Sequence, residues 1–135
     1  LETDIDDCTS EVLGYTMELL YEAGAREVHY IPIYMKKNRP AYELVVICGQ
    51  ADIDKLQNII FRQTTTIGIR RTAMERTILK RHMEKAVTPY GEVDIKVCEL
   101  LDGGTKRYPE YESVKKLCET QNVSYMDIIN SIKNI

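Results

Sequence analysis

The order of two hydrophobic periods along residues 1–80 limits this chain to a small set of folds. Side chains alternate over residues 2–7 and 27–36, and residues 42–48 form an apolar run, which together predict three β-strands. One helical stripe lies between Thr9, a predicted N-cap, and Gly24, and a second spans about 52–63. Residues 64–79 have the pattern of a long fourth strand. The order βαββαβ predicts an α+β, ferredoxin-like sandwich with both helices on one face of the sheet.

Alternation along the strands assigns side chains to the two faces of this sheet. The first strand is expected in the centre, between the third and the fourth. The helices are expected to cover the face that carries five isoleucines: Ile5, Ile31, Ile33, Ile67 and Ile69. The uncovered face is then expected to carry the charged residues Glu2, Asp4, Asp6, Lys36 and Arg70. A register slip of one residue would exchange the two faces.

The pattern changes after residue 80, which predicts one domain over 1–80 and an extension over 81–135. Residues 82–88 and 92–98 flank Pro89-Tyr90-Gly91 and predict a β-hairpin. Pro109 is expected at the first position of a helix. Ser124 and Asp127 form a predicted capping pair for a last helix. The extension is therefore expected to add a hairpin and two helices.

Composition excludes several classes of protein. An apolar content of 44% is too high for a disordered chain, and no apolar run approaches the roughly 18–20 residues that a membrane span needs. The four cysteines are scattered without a CxxC pair, which gives no zinc signal. Reduced thiols in a cytoplasmic protein are favoured over two disulfides, because a chain with a full core does not need them. The chain begins with Leu1 rather than Met, and we expect a fragment of a longer protein.

Charge is distributed unevenly along the chain. Residues 1–35 contain eight acids and one base, whereas residues 36–81 contain ten bases and four acids. In the acidic part, Glu2, Asp4 and Asp6 are expected on one strand face, where they repel one another unless a cation neutralises them. Carboxylates of this kind suit Mg²⁺ or Mn²⁺. The alternative is a solvated edge strand that uses charge to avoid aggregation.

Two segments of the basic part are candidate phosphate sites. Lys36, Lys37 and Arg39 lie in a predicted tight loop before Pro40, although the same pattern also describes a solvated hairpin. Thr64, Thr65 and Thr66 precede Gly68 in the second segment, where hydroxyls and backbone N–H groups could ring an anion. Threonines are also ordinary strand residues. The sequence has no P-loop, no GxGxxG and no Ser/Cys–His arrangement.

Taken together, these motifs resemble the carboxy-terminal part of the LarC family, the nickel insertion proteins of the lactate racemase cofactor pathway. The matching segments are ETDIDD (2–7), PIYMKKNRP (32–40), RQTTTIGIR (62–70), TPYG (88–91) and PEYE (109–112). They keep the family's order across nearly the whole chain. Asp4 and Cys8 stand where the family pattern has Asn and Met.

The resemblance implies a CTP-dependent cyclometallase. Such an enzyme inserts nickel, its substrate metal, into pyridinium-3,5-bisthiocarboxylic acid mononucleotide with hydrolysis of CTP. It also implies that this part of the chain binds CTP with Mg²⁺ or Mn²⁺, assembles as a homo-oligomer and works with an amino-terminal domain of the same protein.

On that reading, acidic residues hold the divalent cation: Glu2, Asp4 and Asp6. Basic residues and threonines bind the phosphates: Lys36, Lys37, Arg39, Arg70, Thr65 and Thr66. Tyr108 or Tyr111 stacks on the base. No residue is assigned as general base. Two alternatives remain open at this point. One is a non-catalytic ferredoxin-like module for ligand binding or oligomerisation. The other is an RNA-binding sheet, which needs exposed aromatic residues on the middle strands, where the chain offers Tyr but has one Phe and no Trp.

Overall fold

A computed structural model describes residues 1–132 as two compact units, one from Leu1 to Met74 and one from Glu75 onward. The first unit contains β1 (Glu2–Ile5), α1 (Ser10–Glu22), β2 (Glu27–Met35), β3 (Arg39–Ile47) and α2 (Ile53–Gln63). The second contains β4 (Arg81–Thr88), β5 (Gly91–Glu99), β6 (Thr105–Pro109), α3 (Tyr111–Gln121) and α4 (Tyr125–Ile132). The predicted α+β class is confirmed.

The first unit is an antiparallel sheet in the order β1-β3-β2. Both helices pack on one face, where α1 contributes Leu13 and Leu20 and α2 contributes Leu56 and Ile60 to a single core. The Thr9 hydroxyl accepts a hydrogen bond from the Val12 amide at the start of α1. Gly24, with a φ of 98°, follows its end as predicted, because glycine adopts this left-handed conformation without steric cost.

The predicted fourth strand over 64–79 is wrong in its length. Within the described residues this segment forms one antiparallel bridge, in which Glu2 and Arg70 exchange backbone hydrogen bonds of 3.0 and 2.8 Å. The bridge places the segment beside β1 on the side away from β3, so β1 is central as predicted. Near the start of the segment, Thr66 accepts from the Gly68 amide and donates to the Gly68 carbonyl, in competition with a ladder.

The predicted face is also wrong for some isoleucines. Asp4 lies opposite Glu43, which lies opposite Ile31, so Ile31 shares the uncovered face with the acids and is 42% exposed. Val28 and Tyr30 take the helix side of β2 instead. Ile67 is 98% exposed because the chain leaves the sheet there, whereas Ile5 and Ile69 pack on the core as expected.

The second unit is a three-stranded antiparallel sheet, β4-β5-β6, under α3 and α4. The predicted hairpin is confirmed, and β6 is an addition that the sequence did not reveal. Pro109 ends β6 instead of starting α3, whose N-cap is Glu110. The Ser124 hydroxyl accepts from the Asp127 amide at 3.1 Å and donates to the Asp127 carboxylate at 2.7 Å, which confirms the capping pair.

The helices of the described chain are short, and none of them combines the length and the apolar character needed to cross a lipid bilayer.

Candidate functional site

The uncovered face of the first sheet carries a charge cluster centred on Arg70. The Arg70 guanidinium donates to both carboxylate oxygens of Asp4, from Nη1 at 3.1 Å and from Nη2 at 2.8 Å. Nη2 also donates to Glu43 Oε1 at 2.7 Å, and Nε lies 3.6 Å from Glu2 Oε2. Three carboxylates therefore surround one guanidinium, and the cluster has a net negative charge.

The electrostatics of this cluster follow from these contacts. The hydrogen bond from Arg70 is the main cause that holds the pKa of Asp4 below its usual value, against a smaller opposing effect of burial. The same bond raises the pKa of Arg70 above its usual value, so the guanidinium is charged at neutral pH. As it stands, this cluster attracts cations and repels phosphates.

A second pair links β1 to the loop between β2 and β3. Arg39 Nη1 donates to Asp6 Oδ2 at 2.9 Å, and the Asp6 side chain is 23% exposed. Arg39 begins β3, and Asp6 directly follows β1. This ion pair therefore holds the C-terminal end of the loop next to the end of the central strand.

The loop itself holds two adjacent residues in the left-handed region. Lys37 has a φ of 62° and Asn38 a φ of 55°, within a single 3₁₀ turn over Lys36–Asn38. Asparagine tolerates this conformation, but for lysine it costs on the order of 1 kcal/mol. Neither Lys36 nor Lys37 forms an ion pair with any other described residue, and both are exposed. The turn thus presents two uncommitted ammonium groups.

Hydrogen bonds to Thr3 and Asp7 hold the threonine segment, residues 64–68, in place. The buried Thr3 hydroxyl lies 2.5 Å from Thr66 Oγ1 and donates to the Gly68 carbonyl at 2.8 Å. The Thr65 hydroxyl donates to the Asp7 carboxylate. These bonds attach the segment to β1 and to the residues after it, and they occupy hydroxyls that the sequence assigned to an anion.

Tyr108 and Tyr111 belong to the second unit. Tyr108 lies on β6 opposite Lys96 and is 49% exposed. Tyr111 begins α3, and its ring lies 6.0 Å from that of Tyr125 at an angle of 36°. Both rings are accessible enough to stack on a base.

Sequence reasoning missed Glu43 as a member of the cluster. The signal was present, because Glu43 is the one charged residue in the otherwise apolar run of β3 from Tyr42 to Cys48. In a strand covered on one face, a charge in such a run marks the open face.

The acids do not form a ready metal cage. Within residues 1–132 no group of three or more His, Cys, Asp or Glu side chains is arranged to hold a metal ion. Asp4 accepts from Arg70 at both oxygens and Asp6 accepts from Arg39 at Oδ2, so a cation bound by either acid competes with a guanidinium.

Comparison with known proteins gives a consistent result. Residues 1–129 match a family model described as nickel insertion protein. Over 133 residues the chain is 48% identical to the pyridinium-3,5-bisthiocarboxylic acid mononucleotide nickel insertion protein of Alkaliphilus metalliredigens, covering 98% of this chain. It is 41% identical over 128 residues to the protein of the same name from Lactiplantibacillus plantarum, covering 95% of this chain. The chain spans about a third of the length of these relatives, 31% and 30% respectively.

Two solved structures share the fold. One is described as LarC2, the C-terminal domain of a cyclometallase involved in the synthesis of the NPN cofactor of lactate racemase, in its apo form. It matches with a TM-score of 0.89 and 40% identity, over 97% of this chain and 90% of that one. A protein from Methanopyrus kandleri AV19 matches with a TM-score of 0.71 and 24% identity, over 94% of this chain and 78% of that one.

Proposed function

Because this chain belongs to the nickel insertion protein family, we propose that it is the metal–CTP-binding domain of a cyclometallase, a lyase. The enzyme inserts nickel into pyridinium-3,5-bisthiocarboxylic acid mononucleotide, with hydrolysis of CTP. The relatives named for this reaction are about three times as long as the chain. In the proposal, an amino-terminal domain of the same protein therefore completes the reaction.

The observation that carries the nucleotide-binding role is the turn over Lys36–Asn38. Two uncommitted lysines stand on a backbone whose unusual conformation is fixed by the flanking strands. A strained turn with free cations is typical of a ligand-binding loop, since strain of this kind persists where function requires a fixed geometry. Lys36 and Lys37 bind the terminal phosphates and neutralise the charge that develops on them during cleavage.

Arg39 supports this turn in the proposal. Its guanidinium is held by Asp6 at 2.9 Å and keeps further N–H groups for a phosphate oxygen, because an arginine has five donors. Thr65, Thr66 and Arg70 are weaker members of the phosphate site. Each of them already has a partner, and Arg70 lies in a negatively charged cluster.

The divalent cation is proposed to arrive with the nucleotide. Mg²⁺ and Mn²⁺ are usually held by a few carboxylates together with phosphate oxygens and waters. Glu2, Asp4 and Asp6 have the right chemistry, and at Asp4 and Asp6 the metal competes with an arginine for the carboxylate. When bound, the metal neutralises triphosphate charge.

The remaining parts of the proposal concern the base and the assembly. Tyr108 or Tyr111 stacks on cytosine.

The chain assembles as a homo-oligomer, for which β2 offers a surface. This strand lies at the edge of its sheet, and its residues Ile31 and Tyr34 are 42% and 75% exposed. Light scattering of the purified chain measures the number of copies.

Isothermal titration of CTP with Mn²⁺ into the purified chain tests the nucleotide site. The double variant Lys36→Gln, Lys37→Gln should weaken binding by about tenfold or more, since two charge-assisted contacts are lost. The matched control is Lys106→Gln, Lys116→Gln, which removes two exposed lysines that pair with no other described side chain.

If both double variants lost the same amount of affinity for CTP, the loss would be an effect of net charge alone. That result would overturn the assignment of Lys36 and Lys37. Phosphate release during incubation of CTP with the divalent metal then separates the two classes of function. A chain that binds CTP and leaves it intact, alone and together with the amino-terminal domain, is a ligand-binding module rather than part of a CTP-hydrolysing enzyme.

A further inference from the structure

The first unit contains a cavity of about 550 Å³ that no residue of the proposed CTP site other than Glu2 touches. It lies where the end of β3 meets the start of β1 and residues 71–74. Its apolar wall includes Val45, Ile47, Ile53 and Met74. This volume is in the range of about 300–1,000 Å³ that is usual for small-molecule sites.

The polar part of the lining includes Gln50, Thr72 and two side chains of opposite charge. Arg71 supplies a guanidinium, and Glu2 a carboxylate. Arg71 is exposed and has no ion pair or side-chain hydrogen bond within the chain up to residue 132. Glu2 lies 3.6 Å from Arg70 Nε, which is too long for a hydrogen bond, so its oxygens keep their capacity to accept.

Arg70 and Arg71 therefore differ sharply in what they can bind. Arg70 donates three hydrogen bonds to Asp4 and Glu43 and lies among carboxylates, whereas Arg71 lines an open cavity with its donors unused. A free guanidinium beside an apolar wall is suited to a carboxylate or a phosphate carried on an apolar body, which it can bind through two parallel hydrogen bonds.

We propose that this cavity binds a pyridinium mononucleotide, with an anionic group on Arg71 and the cationic ring near Glu2. A pyridinium ring is flat and largely apolar but carries a positive charge, so it complements both the wall and the carboxylate. The inference rests on the proposed function, in which the molecule that receives nickel is a pyridinium mononucleotide. It places that molecule apart from the CTP turn.

The test is calorimetric titration of nicotinic acid mononucleotide into the purified chain, because this compound has a pyridinium ring, a carboxylate and a ribose phosphate. CMP is the matched ligand, with the same ribose phosphate and a neutral ring. Arg71→Gln should weaken binding of the pyridinium compound by about tenfold. The control Arg62→Gln removes an equally exposed, unpaired arginine from α2 and should change nothing.

A second variant and a second readout guard against misfolding. Ala73→Phe fills the cavity from its exposed rim and should abolish binding while the circular dichroism stays unchanged. Cys48 is a half-buried free thiol in the lining, and its alkylation rate, measured by peptide mass spectrometry, should fall when the ligand is present.

Three outcomes would overturn the inference: no binding of the pyridinium compound, binding that survives both Arg71→Gln and Ala73→Phe, or CMP binding equally well with the same dependence on Arg71. The CTP titration in Lys36 and Lys37 variants is independent of all three, so failure of this site and failure of the proposed function are distinguishable.

Discussion

Arg70 and Asp4 form a two-point pair across the open face of the first sheet, with Nη1 and Nη2 donating to the two carboxylate oxygens at 3.1 and 2.8 Å. The residues are 66 positions apart, and they join the central strand to the segment that replaces the expected fourth strand. Two backbone hydrogen bonds between Glu2 and Arg70, together with the hydrogen bonds of Thr65, Thr66 and Gly68, also hold this segment there. The ion pair therefore stabilises the position of the segment around Arg70 and is also part of the candidate site.

Arg70→Gln should lower the local stability of the segment around residue 70. The side chain of Arg70 is 51% exposed, so solvent screens the pair and the loss should be modest, about 1 kcal/mol of local stability, or about fivefold in exchange rate. Hydrogen exchange at the amides of residues 2 and 70 measures it, because both amides donate in the bridge. Arg62→Gln is the control. Unchanged protection at both amides in Arg70→Gln would show that the backbone bridge alone suffices.

The same variant tests the metal prediction. Without the guanidinium, Glu2, Asp4 and Glu43 face one another uncompensated, and a divalent cation should relieve their repulsion. Millimolar Mg²⁺ or Mn²⁺ should therefore raise the thermal midpoint of Arg70→Gln by more than that of the parent chain. The double variant Asp4→Asn, Arg70→Gln should lose this gain. Equal responses in parent and Arg70→Gln would count against these acids as ligands.

Acid should weaken the pair in a defined range of pH. The folded-state pKa of Asp4 is held below the value of about 3.9 expected in the unfolded chain, chiefly by the hydrogen bond from Arg70. The stabilisation is thus present above that pH and is lost as the pH falls through the folded-state pKa. The difference in thermal midpoint between the parent chain and Asp4→Asn should be largest near pH 6 and shrink toward pH 3. A difference that stays constant would contradict this assignment.

Lys37 should show a conflict between stability and function. Lys37→Gly relieves the left-handed strain at a φ of 62° and should raise the free energy of unfolding by about 0.5–1 kcal/mol, while it weakens CTP binding by removing an ammonium group. Lys36→Gly is the matched variant, since Lys36 does not have a positive φ. It should lose binding without gaining stability. Thermal unfolding and titration of both variants decide the matter, and a stability gain at both positions would remove strain as the explanation.

How far the sequence predicts this protein differs between its elements. Helix α1, with its cap at Thr9 and its stop at Gly24, follows from local signals, as does the capping pair of Ser124 and Asp127. The strand β6 and the end at Pro109 do not, because four exposed residues followed by the half-buried Pro109 carry almost no hydrophobic period. The site residues could be named from their motifs. Their partners could not, since Arg70 meets Asp4 and Glu43 only through pairing between distant segments.

The sequence by itself determined the class of fold, the order of the elements from β1 to α2 and the family, because hydrophobic period and short motifs are local properties of the chain. Only the tertiary structure decided which charged side chains form ion pairs with one another and which remain available for a ligand. It binds Arg70 to Asp4 and Glu43 and leaves Lys36, Lys37 and Arg71 uncommitted. The physical reason is that an ion pair depends on a few ångströms of separation in space, and sheet register, which sets that separation, is fixed by contacts between residues far apart in sequence.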